Sequence, residues 1–120
     1  MIPNLPNVLL LAYLGDAAFE VLVRERVISS AKNSAEANAL ALQFVTAKCQ
    51  SEAAKRAIDF FTEEEREVFT LGKNAKSNYT PRHIDVYSYR LATGLEAVFG
   101  YHIWEGTEKR NKELFSIIFP

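Results

Sequence analysis

VLLLAYLGDAAF spans residues 8–19, and LATGLEAVFGYHIW spans residues 91–104. The first segment contains one charged side chain, Asp16, and among Asp, Glu, Lys and Arg the second contains only Glu96. Because both segments are apolar around most of a helical circumference, they predict two central helices. A carboxylate inside a core is costly unless it is paired, hydrogen-bonded or bound to a metal. The two acids are therefore the most informative residues of the chain.

Small residues surround both acids, and they indicate that the two helices cross closely. Small side chains let helix backbones approach each other, a steric argument that holds beyond membranes. We therefore expect the crossing to bring Asp16 and Glu96 together. The small neighbours are Gly15, Ala17 and Ala18 in the first segment and Gly94, Ala97 and Gly100 in the second.

Two facing carboxylates repel, and neither segment offers a Lys or Arg to neutralise them. A divalent cation would satisfy both, and oxygen ligands favour Mg²⁺, with Mn²⁺ as a substitute, over zinc. Such a site is typical of phosphoryl chemistry, in which the metal polarises a phosphate and generates a hydroxide nucleophile. In a purely structural interpretation the acids instead hydrogen-bond to backbone groups or tyrosine hydroxyls. The residues alone leave both interpretations open.

The whole chain predicts an all-α bundle, because no stretch sustains an alternation of period two. Asn7, Asn33 and Thr62 are expected N-caps, the last two with Glu36 and Glu65 at capping-box spacing. Pro81 closes the one clear loop, residues 72–82. Helices are expected at about 8–28, 34–49, 51–60, 63–71 and 84–104, followed by a last helix capped by Thr107.

Composition bounds the class of protein. The 120 residues are 48% hydrophobic and 24% charged, which predicts one globular domain over residues 1–120. The net charge of −1 excludes a histone-like polycation, so any nucleic-acid surface must be local. One cysteine excludes an internal disulfide and favours a reducing compartment. The longest apolar run, at 8–14, is far shorter than the ~20 residues of a membrane span, so we expect a cytoplasmic protein without a membrane segment.

Charge is unevenly distributed along the chain. Residues 72–90 contain four basic side chains and one acid, whereas residues 59–67 contain five acids and one base. The acidic stretch is expected to be a solvated helix start, and His83 and His102 lack a second ligand at metal spacing. The basic segment suits contacts with phosphates and 2′-hydroxyls, although a solvated loop is the alternative. The expected nucleic-acid contacts are Lys73, Asn74, Lys76, Arg82 and Arg90.

Three motifs in this order resemble the ribonuclease III family, and more closely its Mini-ribonuclease III branch. They are LAYLGDA at 11–17, GKNAKS at 72–77, and YRLATGLEA at 89–97 followed by Gly100-Tyr101. The resemblance covers nearly the whole chain. It implies an all-α endonuclease domain without a double-stranded-RNA-binding domain, acting as a homodimer in which each protomer cuts one strand of an RNA duplex with Mg²⁺. For this branch it also implies maturation of 23S ribosomal RNA. By position, Asp16 and Glu96 correspond to the catalytic metal ligands.

The sequence departs from full-length ribonuclease III at two positions. Ala12 and Thr93 stand where those enzymes have further acids, and the Mini-ribonuclease III branch shares these replacements. With fewer carboxylates, waters or RNA phosphate oxygens must complete the metal shell. Two other hypotheses remain: a non-catalytic module of the same fold that binds RNA or the ribosome, and a helical partner-binding domain without RNA. Retention of both acids favours the enzyme.

Overall fold

The computed structural model describes residues 2–76 and 85–120. The secondary structure of that part of the chain is helical throughout, which confirms the all-α prediction. No helix there is long and apolar enough to cross a membrane. The α-helices are α1 (Val8–Ile28), α2 (Ser34–Val45), α3 (Ala47–Ala57), α4 (Glu63–Asn74), α5 (Val86–Glu105) and α6 (Lys109–Ile118), with a short 3-10 turn at Ile58–Phe60 between α3 and α4.

The three predicted N-caps are confirmed. The Asn7 side chain accepts a hydrogen bond of 2.8 Å from the Leu9 amide, which satisfies a donor that the first turn of α1 would otherwise leave unpaired. The Asn33 side chain does the same at the start of α2. Thr62 and Glu65 form a complete capping box, in which each side chain accepts from the other residue's backbone amide.

Several of the predicted boundaries are wrong, including the start of α3, which lies at Ala47 and not at residue 51. α2 ends at Val45, before the predicted Cys49, because Thr46 leaves the helical conformation and caps α3 with its hydroxyl. α4 continues to Asn74, so the loop begins beyond the predicted Gly72. Thr107 does not cap α6. Its hydroxyl lies 2.8 Å from Nδ1 of His102 instead.

α5 is the central helix of the bundle. Every residue from Leu91 to His102 is buried except Glu96, which is half-buried. α1, α3 and α4 all pack against it, and Phe19 of α1 meets Phe99 of α5 edge to face with ring centroids 5.5 Å apart. The pattern of one acid in an otherwise buried helix therefore holds in three dimensions.

Glycines allow α5 to touch its neighbours backbone to backbone. A Cβ atom at Gly15 would overlap the carbonyl oxygen of Glu96 and lie 2.7 Å from the Gly100 nitrogen, and a Cβ at Gly100 would overlap the Leu11 carbonyl. On the α4 side, a Cβ at Gly94 would lie 2.8 Å from the carbonyl oxygen of Phe69. Two helices thus meet α5 at distances that a methyl group would forbid.

A buried ion cluster joins α4, α5 and α6, and it contradicts the prediction that residues 59–67 are only a solvated helix start. Glu65 is 1% exposed. Its carboxylate accepts a hydrogen bond of 2.9 Å from Nε of Arg110 and lies 2.6 Å from Nε2 of His102. Burial raises the pKa of Glu65, but the hydrogen bonds from His102 and Arg110 outweigh this effect, and the pKa falls to about 2. The neighbouring charges therefore keep this carboxylate ionised.

The glycine contacts predict a graded loss of stability. Alanine at an ordinary helical position is more favourable than glycine by up to about 1 kcal/mol. Gly15→Ala should instead destabilise the protein, because the new methyl group would overlap the backbone of α5. We expect the free energy of unfolding to fall by about 1–3 kcal/mol or more. Gly72→Ala should cost less, because a Cβ there lies 3.0 Å from its nearest neighbours, the Ala97 side chain and the Gly94 Cα. Urea unfolding of both variants measures the order, and an equal or smaller loss for Gly15→Ala would contradict the close crossing.

Candidate active site

Asp16 and Glu96 meet where α1 crosses α5. The residue before Asp16 is Gly15, whose Cα faces the backbone of Glu96, so the crossing aligns the two acids along their helices. The Asp16 carboxyl group lies close enough to Glu96 to raise its pKa, and the side chain of Gln50 on α3 lies close enough to lower it. The structure thus brings together the two acids that the sequence singled out, and it adds a third polar residue.

The two acids differ in their exposure, which corrects the expectation that both are enclosed. Gly15, Phe19 and Val23 form the buried face of α1, while Asp16 is exposed. Successive helical residues are rotated by about 100°, so Asp16 lies at the edge of the contact and not within it. Glu96 is half-buried beneath it. The pair is therefore open to solvent from the Asp16 side.

Glu96 holds its proton unusually tightly. Burial raises the pKa of its carboxyl group, and the hydrogen bond and negative charge of Asp16 raise that pKa further, to about 8. The hydrogen bond from Gln50 opposes the shift. Among the described residues no basic side chain forms an ion pair with either acid. At neutral pH the raised pKa of Glu96 therefore favours its protonated form, since no cation of the protein balances the two acids.

This donor set fits a small hard cation. The described residues contain no cluster of three or more His, Cys, Asp and Glu side chains that could hold a metal, so a complete cage of protein ligands is excluded there. Mg²⁺ does not need one, since it is commonly held by one or two carboxylates and keeps several waters. A divalent cation could bind such a pair of carboxyl groups by displacing the proton that the raised pKa of Glu96 retains.

The positions of the missing acids add no ligand. Ala12 is 6% exposed and Thr93 is 8% exposed. The Thr93 hydroxyl donates a hydrogen bond of 3.0 Å to the Tyr89 carbonyl within its own helix. Asp16 and Glu96 therefore remain the two acids of the site.

The residues predicted to contact RNA fall into separate places. Lys73 and Asn74 belong to the last turn of α4, so their assignment to a loop is wrong, and Lys76 follows that turn. Arg90 is exposed in the second turn of α5. Arg82 lies outside the described residues. Since Gly72 abuts Gly94 and Ala97, the end of α4 lies against the same turn of α5 that carries Glu96.

Sequence reasoning missed Gln50, although the sequence contained a signal for it. The buried face of α3 contains Gln50, Ala53, Ala54 and Ala57, which follow the i, i+3, i+4, i+7 spacing of an amphipathic helix. A glutamine in register with three buried alanines is a candidate for a specific polar contact. The contact partner, Glu96, could be identified only from the packing of α3 on α5.

Comparisons with known sequences identify one family. The sequence profile described as Ribonuclease III domain matches residues 9–106, a range that includes both acids. A Mini-ribonuclease 3 of Thermoanaerobacter sp. is 37% identical over 112 residues, which are 91% of this chain and 78% of that relative. A Mini-ribonuclease 3 of Brevibacillus brevis is 38% identical over 120 residues, which are 98% of this chain and 88% of the relative. The crystal structure of a protein from Fusobacterium nucleatum has a TM-score of 0.85 at 31% identity, covering 94% of this chain and 93% of that one.

The raised pKa of Glu96 predicts how stability depends on pH when divalent cations are chelated. The folded carboxyl binds its proton up to a pH of about 8, whereas the unfolded one releases it near 4.5. Its contribution is therefore fully present below pH 4.5 and is lost as pH rises toward 8, by at most about 1.4 kcal/mol per pH unit. Glu96→Gln should remove this slope and become more stable relative to wild type as pH rises.

Urea unfolding between pH 5 and 8 in EDTA measures the difference. Glu52→Gln is the matched control, because Glu52 is an exposed glutamate on α3. A wild-type protein whose stability relative to Glu96→Gln stays constant over this range would show that Glu96 is ionised in the folded protein at low pH.

Proposed function

Because the chain belongs to the ribonuclease III family and is an endoribonuclease of the Mini-ribonuclease 3 type, we propose that it hydrolyses double-stranded RNA with Mg²⁺ at Asp16 and Glu96. The observation that carries the proposal is the close pair of carboxyl groups at the crossing of α1 and α5, open to solvent on the Asp16 side. We propose precursors of 23S ribosomal RNA as the substrate and the cytoplasm as the location.

The residues of the pair have different proposed roles. When bound, Mg²⁺ or its substitute Mn²⁺ polarises a phosphate and lowers the pKa of water. Asp16 is exposed, so its carboxylate is accessible both to a hydrated cation and to the RNA backbone. Glu96 is half-buried on the central helix α5, so its carboxyl group would approach the cation from the protein side. Because Glu96 must lose its proton before it can bind a cation, cation affinity should rise with pH up to about 8.

The acid pair favours an enzyme over a non-catalytic module of the same fold. A module that only binds RNA needs positive charge, and a pair of carboxyl groups works against that need. The pair also raises the pKa of Glu96, which shows that two acids in contact are unfavourable without a proton or a cation. Perturbed carboxyl groups of this kind cluster at functional sites.

Lys73, Asn74, Lys76 and Arg90 are the proposed RNA contacts within the described residues. The packing of Gly72 against Gly94 and Ala97 brings the end of α4 to the helix turn that carries Glu96. Basic side chains there could bind phosphates while the scissile bond reaches the acids. Arg82 stays a prediction from the sequence.

A homodimer is proposed because cutting both strands of a duplex requires two sites, and the described residues of one chain supply one acid pair. α1 offers an apolar surface for this contact. Leu10 is 64% exposed, Tyr13 81% and Val21 56%, and with Ala17 they lie along one side of the helix. An isologous contact through this side of α1 would relate the two acid pairs by a two-fold axis.

Asp16→Asn should abolish cleavage and leave RNA binding nearly unchanged. The amide keeps the shape of the side chain but removes the charge that the cation requires, whereas phosphate contacts supply most of the affinity. Cleavage of a labelled RNA duplex is measured with Mg²⁺ and with EDTA, and binding by filter retention in EDTA. Asp59→Asn, an exposed aspartate of the 3-10 turn, is the matched control. Near-normal cleavage by Asp16→Asn would rule out its proposed role.

The basic residues predict a characteristic salt dependence. Lys73→Ala/Lys76→Ala should weaken binding of all duplexes about equally, because phosphate contacts carry no sequence information. Each lost contact should also reduce the slope of log affinity against log salt by somewhat under one unit. A titration in EDTA measures this without cleavage, with Lys32→Ala as control, since Lys32 follows the distant end of α1. An unchanged slope would place the RNA elsewhere.

The proposed dimer predicts that charge on α1 will separate the protomers. Wild type should sediment as a dimer at micromolar concentration, and Leu10→Arg/Val21→Arg should sediment as a monomer, because two buried guanidinium groups would lack partners. Leu42→Arg, at a position 60% exposed on α2, is the control and should stay dimeric. A wild-type monomer that cleaves duplex RNA would contradict the proposal.

A further inference from the structure

An exposed lysine of α3 lies against an exposed tyrosine of α5. The ammonium nitrogen of Lys55 is 6.0 Å from the centre of the Tyr87 ring, which is the distance of a cation–π contact. Tyr87 is 60% exposed, and Val86 beside it is 50% exposed. At the surface such a contact contributes only about 0.5–1 kcal/mol, so it adds little to the stability of the fold. It does hold a positive charge at a defined place beside an exposed aromatic ring.

Lys55 forms no ion pair with a carboxylate within residues 2–76 and 85–120. Asp85 lies close enough for Lys55 to affect its pKa, but hydrogen bonds from the backbone and side chain of Ser88 lower that pKa more strongly than Lys55 does. The Asp85 carboxylate accepts a hydrogen bond of 2.8 Å from the Ser88 amide, as the N-cap of α5. The nearby acid therefore serves the helix cap, and the ammonium group of Lys55 can bind an anion from solution.

The pair continues the basic surface at the end of α4. Gly72, in the last turns of α4, packs against Gly94 of α5. Arg90 is exposed one helical turn before Gly94, and Tyr87 lies three residues before Arg90. Residues three and four apart are neighbours on a helix surface, so Arg90 lies between the end of α4 and Tyr87. Positive charge thus extends from the end of α4, across the first turns of α5, to Lys55 on α3.

Lys55 and Tyr87 lie outside the acid pair. Tyr87 precedes Glu96 by nine residues, which is on the order of 13 Å along a helix. A group at that distance contacts a part of the RNA other than the bond that the acid pair would cleave. Lys55 is therefore suited to add affinity for the duplex and not to take part in the chemical step.

We propose that Lys55 binds a backbone phosphate of the RNA duplex and that the ring of Tyr87 holds the lysine in place for this contact. The inference rests on the proposed function, because it extends the RNA-binding surface of the same enzyme to α3. Contacts between lysine and phosphate fix the position of a duplex on a protein without reading its sequence. Lys55 thus helps to position the duplex, whereas Asp16 and Glu96 act at the bond that is cleaved.

Two substitutions of Lys55 separate its charge from its packing. Lys55→Gln removes the charge, and at about 0.1 M salt it should weaken duplex binding by roughly fivefold to tenfold. It should also reduce the slope of log affinity against log salt by somewhat under one unit. Lys55→Arg keeps the charge and should keep both values close to those of wild type. Filter binding in EDTA measures these quantities without cleavage, and in cleavage assays with Mg²⁺ Lys55→Gln should raise KM and leave kcat unchanged.

Two substitutions of Tyr87 test the role of the ring. Tyr87→Phe keeps the aromatic face beside the ammonium group and should bind RNA like wild type. Tyr87→Ala removes that face and should lose part of the affinity that Lys55→Gln loses. The double variant Lys55→Gln/Tyr87→Ala should bind no more weakly than Lys55→Gln alone, because the ring acts through the lysine. Fully additive losses would show that Tyr87 does not act through Lys55.

Lys109→Gln is the matched control. Lys109 is also an exposed lysine on a helix, but it begins α6, beyond the opposite end of α5, so its substitution should leave affinity and salt slope unchanged. Urea unfolding of each variant checks that the fold is intact. Equal affinity and salt slope for Lys55→Gln and wild type would overturn this inference and leave the proposed function in place. A wild-type protein that binds no duplex RNA would overturn the proposed function and this inference with it.

Discussion

The contact between the backbones of α1 and α5 at Gly15 and Gly100 determines the geometry of the whole site. Any side chain larger than hydrogen at either position would force the helices apart, because the nearest atoms are backbone carbonyls and amides that cannot rotate away. The same contact aligns Asp16 with Glu96, because Gly15 lies against the carbonyl of Glu96 itself. The contact that packs α1 closely against α5 is thus the same contact that brings the two acids together.

A comparison of Glu65 with Glu96 shows how neighbouring charges distinguish a structural carboxyl group from a functional one. Glu65 and Glu96 both face the core around α5, and burial raises the pKa of each. For Glu65 the hydrogen bonds of His102 and Arg110 reverse the shift, so its charge is neutralised within the protein. For Glu96 the nearest charged group is another acid, so the shift grows. A carboxyl group that has no basic neighbour in the protein can be neutralised by a cation from solution. This supports assigning the cation to Glu96 and not to Glu65.

Much of this could be predicted from local sequence, because it depends on local chemistry. The caps at Asn7, Asn33 and Thr62 follow from side chains that reach their own helix, and a glycine beside a lone acid predicted the crossing. The exposure of Asp16 could not be predicted in the same way, since it depends on the angle at which α1 meets α5. The burial of Glu65 also escaped, because its partner Arg110 is far away in sequence and makes an acidic stretch look solvated. Local sequence patterns identify the type of contact that a polar residue requires, whereas tertiary packing determines which residue provides that contact.

Helix α5 contacts both parts of the proposed site, the acid pair and the basic end of α4. Its Glu96 faces α1 and α3, while Gly94 and Ala97 of the same turn receive the end of α4 at Gly72. The position of the Lys73 backbone relative to Glu96 is therefore set by the packing of the end of α4 on this turn of α5. If phosphates bind at the end of α4, their distance from the acid pair is fixed by packing and not by a loop. Substrate binding and catalysis then depend on the same glycines, and a substitution that widens either contact with α5 should impair both activities together.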